Sequence, residues 1–204
     1  MNIITDLMDC QALLENARGV IFDLDDTLYS EKDYVRSGYR AVAAALNRED
    51  LAERMWQAFL QGLPAIDTVL EAENLLHRKE EALHAYRFHA PTISLYPGVR
   101  QLLERLAQTK LLGMITDGRP EGQRAKLKAL DLEGYFRHIL ITDELGGQQF
   151  RKPSQVPFCR MQQALDIPFR ELVYIGDNPK KDFIAPQALG MQTIWFQNKD
   201  GLYT

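Results

Sequence analysis

Residues 19–28 read GVIFDLDDTL, and this stretch joins a predicted strand to a group of acids. Its first half is a short run of β-branched and aromatic residues, which predicts a strand buried on both faces, as in a parallel sheet. The run breaks directly into three acids, Asp23, Asp25 and Asp26. Ligands of open α/β sheets bind just outside the carboxyl ends of the strands, so we expect a functional site here. A solvated acidic turn followed by a threonine helix cap is the alternative interpretation.

Strand-like and helix-like segments alternate from Tyr96 to the end of the chain. Alternation of this kind predicts a parallel sheet with right-handed crossovers, so the expected fold class is α/β with a Rossmann-like core. A short amphipathic helix at 6–17 is expected before the first strand. Further strands are predicted at 111–115, 138–141, 171–175 and 192–196, with helices between them.

The segment from 29 to 91 differs in composition from the rest of the chain, since it lacks β-branched runs and is rich in Ala, Leu, Glu and Arg. Four helices are predicted in it, and a connection of this length is too long for a loop in a compact domain. We therefore expect a small all-helical domain at 29–91, inserted into an α/β core made of 1–28 and 92–204.

Composition places the chain among soluble globular proteins. It has 204 residues, of which 46% are hydrophobic and 25% charged, and it contains no apolar run long enough to span a bilayer. The net charge of −4 and the absence of a basic block disfavour nucleic-acid binding. Cys10 and Cys159 lack metal-site spacing and are expected to be reduced. We expect a cytoplasmic monomer or homodimer without a membrane or nucleic-acid partner.

Polar residues follow the predicted strand ends in a recurring pattern. The pattern consists of Asp-x-Asp-x-Thr at 23–27, a small hydroxyl residue at Thr116, a basic residue at Lys152, and Gly-Asp ending at Asp177 with a further acid at Asp182. These four motifs, in this order, resemble those of the haloacid dehalogenase-like (HAD) superfamily of phosphatases. The resemblance implies a HAD-like α/β core and identifies the helical insert as a cap domain between the first and second motifs.

Crowded carboxylates at these strand ends would repel one another unless a hard divalent cation such as Mg²⁺ took oxygen ligands among them. The resemblance implies that Mg²⁺ is bound by the Asp23 carboxylate, the Asp25 backbone carbonyl and Asp177. Asp182 would support the metal directly or through water. The alternative for Asp182 is a cap of the following helix.

The resemblance also implies a catalytic role for four of these residues. Asp23 would attack phosphorus to form an aspartyl phosphate, and Asp25 would protonate the leaving oxygen and then activate water. Thr116 would hold phosphoryl oxygens, while Lys152 would neutralise phosphate charge. An ordinary loop lysine is the alternative for Lys152.

Substrate contacts are expected from the loop after Thr116, which continues with Asp117, Gly118 and Arg119. Backbone N–H groups near Leu24 and Asp117 would bind phosphoryl oxygens. Arg119 would contact either the distal part of the substrate or the closed cap, and a solvated arginine is the alternative.

Asp25 favours phosphate ester hydrolysis, because dehalogenases of this superfamily lack an acid at that position. The helical insert resembles the cap of phosphatases that act on small molecules, so we expect a sugar phosphate or nucleoside monophosphate as substrate. Two alternatives stay open at this point. One is a phosphomutase or other phosphotransferase of the same fold, and the other is a non-catalytic binding or regulatory protein.

Overall fold

The computed structural model describes residues 1–202, which form two compact units. The first unit contains residues 1–31 and 94–202, and the second contains Lys32–Ile93. No helix among the described residues is both long and apolar enough to cross a membrane.

A single six-stranded sheet forms the centre of the first unit. Its strand order is β1-β6-β5-β2-β3-β4, and every adjacent pair is parallel. The predicted α/β class with a parallel Rossmann-like sheet is therefore confirmed. The strands are β1 (Asn2–Ile4), β2 (Gly19–Phe22), β3 (Leu111–Thr116), β4 (His138–Ile141), β5 (Leu172–Gly176) and β6 (Gln192–Phe196).

The amino terminus differs from the expectation in two ways. Strand β1 was not predicted, because three residues are too few to show a periodicity. It pairs with β6, with Ile3 opposite Trp195. The helix expected at 6–17 is instead a shorter 3-10 helix, Leu7–Leu13, which begins where the Asp6 side chain accepts a hydrogen bond from the Met8 N–H at 2.9 Å.

Eight α-helices lie within the described residues, and their positions follow the apolar spacing of the sequence. Helix α7 packs on β3, where Gly113 leaves no room for a side chain because a Cβ there would lie 2.7 Å from the Met161 sulfur. The helices are α1 (Glu31–Ala45), α2 (Asp50–Leu60), α3 (Ala65–Ala72), α4 (Lys79–Phe88), α5 (Val99–Ala107), α6 (Pro120–Ala129), α7 (Val156–Leu165) and α8 (Ile184–Ala188).

The second unit has a hydrophobic core of its own, built from α1 to α4. Tyr39 is buried there and packs against the rings of Phe59 and Tyr86. The Arg36 guanidinium lies 4.3 Å from the centre of the Trp56 ring. Arg36 and Tyr39 thus both pack against aromatic rings of this unit. The role of the unit as a cap stays a prediction.

Candidate active site

Three neighbouring strands bring distant parts of the sequence together at one edge of the sheet. Phe22, the last residue of β2, lies opposite Met114 of β3 and Ile175 of β5. The Asp23 N–H donates to the Ile175 carbonyl at 2.9 Å, which extends the β2–β5 pairing by one residue. The chain therefore delivers Asp23 to the carboxyl end of the sheet, where ligands bind in this architecture.

A buried cluster of three carboxylates lies at this edge. One oxygen from each of Asp23, Asp177 and Asp182 falls within 4.8 Å of the other two. Gly176 makes this arrangement possible, because a Cβ at that position would lie 2.6 Å from Asp182 Oδ2. The Asp25 carboxylate does not belong to the cluster, and its predicted metal contact through the backbone carbonyl stays a prediction.

Lys152 is the cation that faces the cluster. Its Nζ lies 2.6 Å from Asp23 Oδ1 and 2.8 Å from Asp182 Oδ1, and it donates to the Tyr174 hydroxyl at 3.0 Å. Burial lowers the pKa of Lys152, but the two carboxylates outweigh it and leave that pKa well above its usual value. Lys152 is thus a permanently charged, buried residue, and the loop-lysine alternative is wrong.

The three carboxylates outnumber the two nearby lysines, Lys152 and Lys181, and the pKa values of the acids reflect this imbalance. Burial raises the pKa of Asp177 to about 9, with repulsion from Asp23 and Asp182 adding to it. Burial likewise raises the pKa of Asp23 to about 6, although Lys152 opposes the rise. Excess negative charge in a desolvated position is an arrangement that a bound cation would relieve.

The hydrogen bonds show which carboxylate oxygens are open. Both oxygens of Asp182 are occupied, one by Lys152 and the other by the Asn178 N–H at 2.9 Å. No side chain caps helix α8, so the helix-cap alternative for Asp182 is wrong. Within residues 1–202, neither the Asp177 carboxylate nor Asp23 Oδ2 accepts a hydrogen bond, and these oxygens are the ones available to a cation or a substrate.

Lys152→Met should destabilise the protein in EDTA, because it leaves two buried carboxylates, Asp23 and Asp182, without their cation. Removing one partner of a buried ion pair costs about 3 kcal/mol or more. Urea unfolding would measure the loss. Lys128→Met removes an exposed lysine of α6 and serves as the control, with an expected change of less than about 0.5 kcal/mol. Equal unfolding free energies for the two variants would contradict the assigned role of Lys152.

Asp25 is held by a second set of groups. Lys126 Nζ lies 2.6 Å from Asp25 Oδ1, the Tyr29 hydroxyl donates to the same oxygen, and Gln123 Nε2 donates to Oδ2 at 2.9 Å. Burial alone would raise the pKa of Asp25, but Lys126 and the other donors lower it below its ordinary value. The resting form of Asp25 is therefore the carboxylate.

The loop after β3 contains the remaining candidates. Thr116 is buried, and Gln123 Nε2 donates to its hydroxyl. The Asp117 carboxylate connects this loop to two other segments. It accepts a hydrogen bond from the Thr142 hydroxyl at 3.0 Å and another from the Lys152 backbone N–H at 3.1 Å. In the described part of the chain the backbone N–H of Asp117 finds no acceptor, which leaves it available to a substrate oxygen.

Two further candidates for substrate binding follow Asp117. Gly118 has a φ of +140°, a left-handed conformation that disfavours other residues. Arg119 is exposed directly before α6. The backbone N–H of Leu24, on the β2 side, also lacks an acceptor among residues 1–202. Substrate contacts by these residues stay predictions.

Sequence reasoning missed Gln123, Lys126 and Lys181. A signal for the first two was present: they share helical spacing with Leu127 and Leu130, so a glutamine and a lysine lie on the buried face of α6. Lys181, whose Nζ is 3.5 Å from Asp117 Oδ2, carries no comparable signal.

Most of the chain matches one known family. Residues 20–196 match the family described as haloacid dehalogenase-like hydrolase. The chain belongs to this family. The predicted superfamily membership is thereby confirmed.

Among curated proteins, glyceraldehyde 3-phosphate phosphatase of Pyrococcus abyssi is 33% identical over 102 residues, which cover 50% of this chain and 42% of that protein. The match thus spans less than half of the length of that relative. The protein of the same name from Methanocaldococcus jannaschii is 26% identical over 202 residues, covering 87% of this chain and 83% of the relative.

Among solved structures, a 2-haloacid dehalogenase from Pseudomonas syringae pv. Tomato superposes with a TM-score of 0.62 and 25% identity. The superposition covers 88% of this chain and 86% of that one. The fold is therefore shared along most of the chain.

Proposed function

We propose that this chain is a Mg²⁺-dependent phosphatase that hydrolyses a small phosphorylated metabolite, such as a sugar phosphate or nucleoside monophosphate. One observation carries the proposal: Asp23, Asp177 and Asp182 converge with buried Lys152 at the carboxyl end of the sheet. The names of the two curated relatives support a small phosphate ester as the substrate class. The helical unit would serve as the cap that selects the substrate.

The residues of the cluster fit a magnesium ion. Mg²⁺ prefers oxygen ligands and is commonly held by one or two carboxylates together with substrate phosphate. Asp177 and Asp23 have open oxygens for direct contact, whereas Asp182, which Lys152 and Asn178 already engage, would act through water. When bound, Mg²⁺ would neutralise part of the phosphate charge.

Asp23 is the proposed nucleophile. Lys152 holds its Oδ1 and leaves Oδ2 open. Oδ2 would form a bond to phosphorus while the bond from phosphorus to the leaving oxygen breaks, which gives an aspartyl phosphate and an alcohol. The charge of Lys152 would reduce the repulsion between the incoming phosphate and the Asp23 carboxylate.

Asp25 is the proposed acid and base. Asp25 would take up the proton that a monoanionic phosphate ester brings and give it to the leaving oxygen in the first step. In the second step it would take a proton from water, and that proton leaves with the phosphate product, which restores the resting carboxylate. The groups that lower the pKa of Asp25 favour its carboxylate form, which is the form that accepts a proton from water.

The proposal is tested by phosphate release from a panel of phosphorylated metabolites, with Mg²⁺ and with EDTA. We expect Mg²⁺-dependent release of inorganic phosphate, with the highest kcat/KM for a sugar phosphate or nucleoside monophosphate. Halide release from 2-haloacids and isomerisation of sugar phosphates are measured in parallel. Turnover in either of those assays, with no phosphate release from any ester, would overturn the proposal.

A further inference from the structure

Helix α6 presents two polar side chains to the interior of the first unit. Gln123 and Lys126, three residues apart and so on one face of the helix, are buried although both carry strongly polar groups. Leu127 and Leu130 continue the same buried face. Burying a lysine costs free energy because its charged group loses its contact with water, and an apolar residue at the same position would avoid this cost.

Both side chains are directed at Asp25, and each takes one of its oxygens. Lys126 Nζ lies 2.6 Å from Oδ1, and Gln123 Nε2 lies 2.9 Å from Oδ2. Lys126 also donates to Gln123 Oε1 at 2.7 Å. These three contacts form a closed ring, which fixes the carboxylate plane of Asp25 and not merely its charge.

The same ring extends to neighbouring groups of the site. Gln123 Nε2 also donates to the Thr116 hydroxyl, and the Tyr29 hydroxyl donates to Asp25 Oδ1. One helix face therefore links a carboxylate that follows β2 to a hydroxyl at the end of β3. The orientation of both groups is fixed before any substrate binds.

We propose that Lys126 and Gln123 are positioning residues, which hold the Asp25 carboxyl group in the orientation for proton transfer to the leaving group. The inference rests on the proposed phosphatase function. A reacting group that is displaced by about 1 Å can lose a factor of about 100 in rate, so a two-point hold on the Asp25 carboxylate has a measurable consequence.

Leaving-group dependence separates this role from general structural support. For the slow substrate we choose an alkyl phosphate, whose alcohol needs protonation as it leaves, and for the fast one 4-nitrophenyl phosphate, whose phenolate does not. The quantity compared is kcat/KM, which depends only on the steps up to and including the first irreversible one. Release of the alcohol is that step, so the later hydrolysis of the aspartyl phosphate does not affect kcat/KM. Lys126→Met should lower kcat/KM by roughly 100-fold for the alkyl ester and by less than about tenfold for the nitrophenyl ester.

Three further variants sharpen the test. Gln123→Leu removes a neutral partner, so it should keep the fold and show the same selective loss in weaker form. Lys128→Met removes an exposed lysine from the same helix and should leave both rates unchanged. In a background of Asp25→Asn, adding Lys126→Met should cause no further loss of kcat/KM, because Lys126 acts through the carboxylate of Asp25.

Circular dichroism and melting temperature confirm that each variant is folded. Equal losses on the two esters, or a further loss when Lys126→Met is added to Asp25→Asn, would overturn the positioning role while the wild type still releases phosphate. A wild-type protein that releases no phosphate from either ester with Mg²⁺ would overturn the proposed function, and the positioning role with it.

Discussion

Asp23→Asn is expected to lower kcat for any phosphate ester by at least about 1000-fold, while the protein stays folded. The amide keeps the shape of the side chain but cannot form an aspartyl phosphate, and loss of a catalytic nucleophile commonly costs several powers of ten in rate. Mass spectrometry of acid-quenched reactions should find a phosphorylated wild type and an unmodified variant. Because burial raises the pKa of Asp23 to about 6, its charge is costly, so the asparagine variant should melt no lower than wild type in EDTA.

Asp143→Asn is a suitable control, because Asp143 pairs with Arg151 on a neighbouring loop and lies outside the acid cluster. It should keep turnover within about tenfold of wild type. Turnover of Asp23→Asn above a few per cent of wild type, in preparations free of deamidated protein, would contradict a covalent intermediate on Asp23.

The sequence predicted the parallel sheet because its strands are continuous apolar runs bounded by turn residues. It also placed Asp23, Thr116 and Asp177 at one edge, since β2, β3 and β5 are parallel neighbours whose carboxyl ends meet. Periodicity and topology together therefore recover the position of a site from sequence. Neither specifies which oxygen of a carboxylate stays open.

The ring around Asp25 was missed for a physical reason. Gln123 and Lys126 contact a carboxylate that lies 98 and 101 positions earlier in the chain. That contact depends on the tertiary placement of α6, which local spacing does not give. A lysine on a helix is normally predicted to be exposed to solvent, unless the apolar residues on the same helix face indicate that this face is buried. Strand β1 was missed for a different reason. Three residues are too few to show the alternation of a strand, and only the pairing with β6 defines β1 as one.

Metal-free protein should show a stability that falls as pH rises, and Asp177 is the main cause. Its pKa is about 9 in the folded state, raised by burial and by neighbouring acids from an ordinary value of 3.8. Between these two values the folded state binds more protons than the unfolded state, so the free energy of unfolding decreases with increasing pH. The loss begins near pH 4 and ends near pH 9.

Asp177→Asn removes this titration and one metal ligand together. In EDTA at pH 7 we expect the variant to melt at a higher temperature than wild type, by roughly 2–4 °C for each kcal/mol gained. Near pH 3 the two should melt almost together, because the Asp177 carboxyl is then largely protonated in both states. Asp200→Asn, which changes an exposed acid, should follow wild type at both pH values.

Magnesium should reverse the order of the two melting temperatures, so that wild type melts above Asp177→Asn. A ligand present at about a hundred times its dissociation constant stabilises the folded state by about 2.7 kcal/mol, and wild type should gain this amount at pH 7. Asp177→Asn should gain little and should also lose most phosphatase activity, so that added stability without metal accompanies lost function. If Mg²⁺ shifts the melting temperature of neither protein, and if wild type and variant melt together in EDTA at pH 7, then Asp23, Asp177 and Asp182 do not form a cation site.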